Sequence, residues 1–261
     1  MLFRSLGEGH VELLGRLGGG VDRAQPPPPP EDAVLGRGDR DEDLLVGIEE
    51  AGIPLLLQDA DDLEGNPPDL DRLAEELEAW GSSRTVTTYF RRLREIAELA
   101  PGDLALLAEV AEGLFKLTAY KDEYEVARLM TDVTAVAEAA ELAGGEGRIQ
   151  WRLHPPALRA LGMERKISIG EWAAPAIRML ARGKRLRGTP ADPFRWAEVR
   201  RVERQLPGEY LDALRSVLSG ASDDRLERAQ EIAALPEVIR GYEHIKLANV
   251  ERFRQGLSRL A

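Results

Sequence analysis

The chain has 261 residues, 46 acidic against 35 basic side chains, a net charge of −11 and no cysteine. The acid excess argues against nucleic acid as a partner, and the missing thiols exclude disulfides, cysteine-held zinc and iron–sulfur ligation by these residues. His10, His154 and His244 lie too far apart for a histidine-rich metal site, no apolar run nears the roughly 20 residues that cross a bilayer, and residues 1–20 lack a signal peptide's apolar core. The expectation is therefore a cytoplasmic protein with no metal and no membrane partner.

Residues 1–20 read as a short amphipathic helix through Leu6, Leu13, Leu14 and Leu17, closed by Gly18-Gly19-Gly20. They are not a phosphate loop, since no Gly-x-x-x-x-Gly-Lys follows a strand. Residues 21–43 read as a linker: Pro26 to Pro30 is stiff and lacks backbone donors, and Gly36 to Asp43 is charged and poor in apolar residues. Residues 44–66 hold the apolar runs Leu44–Val46 and Ile53–Leu57, followed by Asp59, Asp61, Asp62 and Glu64. Leu63 breaks the oxygen spacing of a calcium loop, so an exposed acidic turn is expected.

From residue 67 to 261 the pattern is helical. Asp69 is placed to cap a helix through Trp80, with Leu70, Leu73, Leu77 and Trp80 on one face, and Gly81-Ser82-Ser83 ends it. Thr85 to Leu99 follows, with Tyr89, Leu93 and Ile96 inward and Arg91, Arg92 and Arg94 outward. Pro101-Gly102-Asp103 is a break and cap, after which a long central helix is expected to run toward Leu142 and the stop at Gly144-Gly145. Arg148 to His154 and Lys166 to Ile169 alternate like strands and can pair as a small hairpin. Trp172 to Leu186 is again helical, with Arg178, Arg182, Lys184, Arg185 and Arg187 as a basic patch: first a solvated face, second a docking surface for an acidic partner. Asp192-Pro193 reads as a cap and first-turn proline starting a helix to Leu206, which Pro207-Gly208 breaks or kinks before it resumes over Glu209 to Leu218. Ser222 is expected to cap a helix to Ala234, and Pro236 to open the last one, reaching Leu260. The fold class is mainly α, a multi-helix bundle with at most one small β-hairpin.

The most informative stretch is Gly113 to Met130. It holds no proline and no further glycine, so it reads as one helix. At roughly 100° per residue it has two apolar faces, one through Phe115, Ala119, Val126, Leu129 and Met130, the other through Leu117, Tyr120, Tyr124 and Ala127. A helix apolar on two sides has partners on both. Between the faces Lys121, Glu125 and Arg128 form a row in which Glu125 reaches both cations. The row reads first as a structural ion network and second as an anion or subunit-docking site, with Lys121 and Arg128 offering spare donors.

No Ser-His-acid or Cys-His arrangement is legible, and no Gly-Asp-Gly segment hints at a metal–diphosphate site. Two polar clusters stand out: Arg152-Leu-His154-Pro-Pro and Arg240-Gly-Tyr-Glu-His244-Ile-Lys246. A histidine poised near pH 7 can act as acid or base, yet structural pairing is the commoner fate, and no catalytic residue is assigned. Lys121, Arg128, His154, Arg240, His244 and Lys246 are the expected partner or ligand surface.

A run of motifs resembles the helical C-terminal domain of the long indolepyruvate:ferredoxin oxidoreductases. Phe115-Lys-Leu-Thr-Ala-Tyr-Lys-Asp-Glu-Tyr-Glu-Val-Ala-Arg128, Leu153-His-Pro-Pro-Ala-Leu158, Gly170-Glu-Trp-Ala-Ala-Pro-Ala-Ile-Arg178, Leu186-Arg-Gly-Thr-Pro-Ala-Asp-Pro-Phe194 and Leu235-Pro-Glu-Val-Ile-Arg-Gly-Tyr-Glu-His-Ile-Lys246 follow in the family's order. Departures are Thr118 where that family has Met, Met130 where it has an aromatic, and the Pro207-Gly208 interruption. The resemblance implies enzymes that oxidatively decarboxylate aryl-2-oxo acids to acyl-coenzyme A and reduce ferredoxin, with thiamine diphosphate and iron–sulfur clusters. Those cofactors would sit in partner subunits, and none is expected on this chain. The implied role is a non-catalytic accessory domain or subunit docking on a separately encoded 2-oxo acid:ferredoxin oxidoreductase core. The alternative is an independent helical scaffold or binding protein, and autonomous catalysis ranks last.

Overall fold

The structure, a computed structural model, describes residues 68–134, 136–137, 150–153, 167–241 and 243–261. The segments expected over residues 1–66, the stop at Gly144-Gly145 and His154 lie outside these residues; the expected run toward Leu142 already breaks at Met130, with Thr131 as the C-cap. The protein is mainly α. The described residues form eight α-helices: α1 (Leu70–Trp80), α2 (Ser83–Leu99), α3 (Leu104–Thr118), α4 (Glu123–Met130), α5 (Ala174–Arg182), α6 (Glu198–Leu218), α7 (Arg225–Ala234) and α8 (Glu243–Leu260). The strands β1 (Gln150–Leu153) and β2 (Ile167–Gly170) pair antiparallel, Gln150 opposite Gly170 and Leu153 opposite Ile167, so the expected hairpin forms.

The described residues fall into two compact units, one of residues 121–187 and the other of residues 68–120 with 188–261. The second unit is a bundle of α1, α2, α3, α6, α7 and α8. Its caps follow the local chemistry. Asp69 accepts from the Arg72 N–H at the start of α1, and Gly102 at φ +83° turns the chain so that Asp103 can accept from the Leu106 N–H at the start of α3. α3 packs against α2, α6 and α7, and carries Leu106, Val110, Leu114 and Leu117 into a core completed by Phe90, Leu93, Leu206, Leu214, Ile232 and Phe253. Tyr89 and Tyr210 are buried beside it and donate their hydroxyls to the carbonyls of Ala111 (2.6 Å) and Ala233 (3.2 Å). Burial pushes both phenols up from their ordinary pKa, because the phenolate would lose its hydration.

Several boundaries differ from those expected. The single helix over Gly113–Met130 does not form: α3 stops at Thr118 and α4 begins at Glu123. Tyr120, just past the end of α3, is buried, its carbonyl accepting from the Trp80 indole at 2.9 Å and its ring edge-on to that indole at 5.3 Å. Asp122 accepts from the Glu125 N–H at 2.8 Å, and a short acidic side chain that can hold an orphan helix donor favours a cap over a helix interior. α6 begins at Glu198, not at Asp192, because the buried Asp192 carboxylate holds a turn by accepting from the N–H groups of Gly188 (2.8 Å) and Phe194 (3.0 Å). Pro207 sits inside α6, which continues past it as one helix even though proline cannot donate to the Glu203 carbonyl. α7 is capped at Asp224, whose carboxylate takes the Ser222 hydroxyl. Pro236 lies in a 3-10 turn, Leu235–Val238, and α8 opens only after Gly241 at φ +87°.

Gly113 marks where α3 approaches its neighbours most closely. A Cβ there would stand 2.9 Å from the Tyr210 hydroxyl, 3.0 Å from Pro236 Cγ and 3.2 Å from the Ala233 carbonyl oxygen. Gly→Ala inside a helix ordinarily stabilises by roughly 0.5–1 kcal/mol. Here overpacking reverses the sign: Gly113→Ala is expected to lower stability by about 1–3 kcal/mol, read as a fall in the urea midpoint. A rise in the midpoint would contradict this packing.

Candidate functional site

In the unit of residues 121–187, α4 and α5 meet by apolar contact, and the residue that caps α4 is held by charge to the end of the turn that follows α5. Asp122 is 3% exposed and receives the Arg187 guanidinium through two bonds, Nε to Oδ2 at 2.5 Å and Nη2 to Oδ1 at 2.9 Å. The guanidinium carbon lies 5.7 Å from the centre of the Tyr124 ring. Gly183 lets the chain pass that ring, since a Cβ there would come within 2.8 Å of it. One turn on, Glu125 is buried and holds Arg128 bidentately at 2.9 and 2.7 Å. The Glu125–Arg128 part of the expected row is thus present. Lys121 lies in the non-helical link before α4, so it has no helical register with Glu125. Arg187, expected in the exposed basic patch, is instead buried against Asp122.

The inner face of α5 sets Ala173 and Ile177 against Ala127, with Met130 and Ala181 at the margin. The opposite face is open. Trp172 is 81% exposed and Met179 72%, with Ala176 between them and Leu180 and Leu186 beside them. Arg178, Arg182 and Arg185 are exposed at helical spacing next to that apolar ridge, and none pairs with a carboxylate among the described residues. Gly170 makes room for the indole, whose Cδ1 is 3.2 Å from where a Cβ would stand.

In the unit of residues 68–120 and 188–261, the deepest charge is Glu203 on α6, 2% exposed. It binds Arg200 Nη1 at 2.5 Å and also the Lys246 ammonium, while Arg200 lies 5.8 Å from the Tyr120 ring centre. Lys246, expected on a partner surface, therefore points inward. Arg240 and His244 are exposed. Arg240 binds the Glu237 carboxylate at 2.8 Å, and Lys116 binds it too at 2.8 Å. These bonds, Lys116 first and then Arg240, hold the Glu237 carboxyl below its ordinary pKa.

Of the six expected surface residues, His154 lies outside the described residues; Lys121 and Arg128 belong to one unit, and Arg240, His244 and Lys246 to the other. Among the described residues no group of three or more His, Asp or Glu could hold a metal ion, and no buried side-chain nitrogen or oxygen lacks a partner. Asp122, Arg200 and Glu203 were not singled out from the sequence, and Arg187 was read there only as part of the basic patch. Asp122 had a usable signal, an acid three residues before Glu125 at a helix start. The Glu203–Lys246 contact spans 43 residues and leaves no local pattern.

A family model described as a family of unknown function (DUF6537) matches residues 69–259. No curated protein and no solved structure matches the chain.

Burial ranks the charge pairs. Glu203→Gln leaves two cations under-paired in the core and is expected to cost about 3 kcal/mol or more; Glu125→Gln is expected to cost about 1–3 kcal/mol. Arg240→Gln on the surface should stay within about 0.5 kcal/mol. Equal urea midpoints for the three variants would contradict this order. The lowered pKa of Glu237 also has a sign: its contribution is complete above the unfolded carboxyl pKa and is lost as pH falls through the folded one. Lys116→Met should therefore flatten the acid limb of the stability curve, and an unchanged limb would count against the Lys116 contact.

Proposed function

The chain belongs to the DUF6537 family of unknown function, and we propose that it is a non-catalytic accessory domain or subunit of an aryl-2-oxo acid, indolepyruvate-type, ferredoxin oxidoreductase. In this reading thiamine diphosphate and iron–sulfur clusters belong to the partner subunits, and the assembly is cytoplasmic. The ordered motifs from Phe115 to Lys246 support it. So does the chemistry of the described residues, whose buried charges are engaged with one another.

The observation that carries the reading is the open face of α5. An indole and a thioether left in water expose apolar area that the fold gains nothing from, and apolar surface of this kind marks contact with another molecule. The neighbouring arginines add long-range attraction for an acidic surface and fix its register, while Trp172 and Met179 supply the area removed from water. The motif Gly170 to Arg178 that resembles the oxidoreductase domain contains both Trp172 and the first of these cations.

The test is co-purification of the tagged chain from its native host, followed by mass spectrometry. Thiamine-dependent oxidoreductase subunits are expected in the eluate, and Trp172→Ala combined with Arg178→Glu should reduce their recovery by about tenfold or more. Recovery of no such subunit, from a folded and soluble bait, would favour the independent scaffold. Equal recovery by the variant would refute the α5 surface while leaving the association intact.

A further inference from the structure

Where the start of α2 meets the end of α3, the second unit holds an open, shallow pocket of about 250 Å³. Its lining includes Ser82, Arg84, Thr85, Thr88, Arg92 and Thr118, with the Tyr89 ring as a wall. The lining carries four hydroxyls, two guanidinium groups and no carboxylate, in a chain with an excess of 11 negative charges. Tyr89 has already given its hydroxyl to the Ala111 carbonyl, so it contributes an apolar side. Arg84 and Arg92 make no ion pair among the described residues.

The helix sets the geometry. Arg84, Thr88 and Arg92 follow at steps of four, which puts them along one ridge of α2. The two arginine Cα atoms stand about 12 Å apart on a helix rising ~1.5 Å per residue. Both long side chains can therefore converge on a group seated over Thr88. Thr118, at the last turn of α3, adds a hydroxyl from the facing helix. The donors of the lining come from two helices. That suits a tetrahedral oxyanion better than a flat carboxylate, which needs only two parallel donors. The volume is below the range of drug-sized sites, as fits a phosphate group with little of its carrier enclosed.

We propose that this pocket is a binding site for a phosphate group, either inorganic phosphate or the phosphate of a small metabolite. The site is separate from the α5 surface and does not rest on the oxidoreductase reading. It recognises charge and tetrahedral shape through Arg84, Arg92 and the hydroxyls of Thr88 and Thr118.

The experiment is a titration of the full, ¹⁵N-labelled chain with sodium phosphate at constant ionic strength. Saturable shifts of the amides of residues 82–92 and of Thr118 are expected. The Arg84→Gln/Arg92→Gln double variant should weaken the affinity by about tenfold or more. Neither arginine carries an ion pair among the described residues, so the variant is expected to fold, and its unchanged amides elsewhere verify that. Sulfate should compete with phosphate, and acetate should not. Shifts that rise linearly without saturating would overturn the proposal. So would equal affinity in the double variant, or acetate binding as tightly as phosphate. Saturation by a phosphate monoester at lower concentration than by inorganic phosphate would support it and identify the carrier as part of the ligand.

Discussion

The unit of residues 121–187 depends on one ion pair, Asp122 with Arg187. The two residues stand at the two ends of that stretch, 65 positions apart, and their bidentate contact is nearly dry. A contact between distant positions closes a loop, and the chain entropy of that closure must be offset by what the contact brings. Here the offset comes from several interactions sharing one carboxylate. Asp122 neutralises Arg187, starts α4 by accepting the Glu125 N–H, and orients the guanidinium beside Tyr124. Replacing it would leave a buried cation and an uncapped helix together, which is why a single short acid governs the unit.

The same logic recurs in the other unit at Glu203. A buried carboxylate on α6 engages Arg200 on its own helix and Lys246 on α8. Such pairs add little net stability over a well-packed apolar substitute, yet they are costly to break, so they specify which helix faces which. Apolar packing supplies the bulk of the cohesion, and it is tight enough at Gly113 that one methyl group is too many.

The mainly α class and most of the apolar faces were legible in the sequence because they rest on local periodicity. α1, α2 and the start of α3 fall where caps and spacing put them, and the hairpin forms where alternation suggests it. What could not be read was where helices stop for tertiary reasons. The link at residues 119–122 looks helical by composition; it is interrupted because Trp80 claims the Tyr120 carbonyl and Arg187 claims Asp122. Pro207 illustrates the reverse, a breaker overridden by burial within α6. The candidate site was half legible. Glu125 with Arg128 follows from a spacing of three, and the cations of α5 were visible as a run, but Arg187 and Lys246 left the surface for partners far away in sequence.

These inward turns sharpen the functional reading. Once Arg187 and Lys246 are engaged internally, the exposed cations of the unit of residues 121–187 without an ion pair among the described residues are Arg178 and Arg182 on α5 and Arg185 in the turn after it, near an exposed indole. The chain then keeps its buried charges for architecture and presents a separate surface for association. The direct test of this division is a double-mutant cycle on Asp122→Asn and Arg187→Gln, with stability measured by urea unfolding. A coupling energy of about 2–3 kcal/mol is predicted for a dry, bidentate pair that closes the unit. A coupling below about 0.5 kcal/mol, the size found for exposed pairs, would contradict the account.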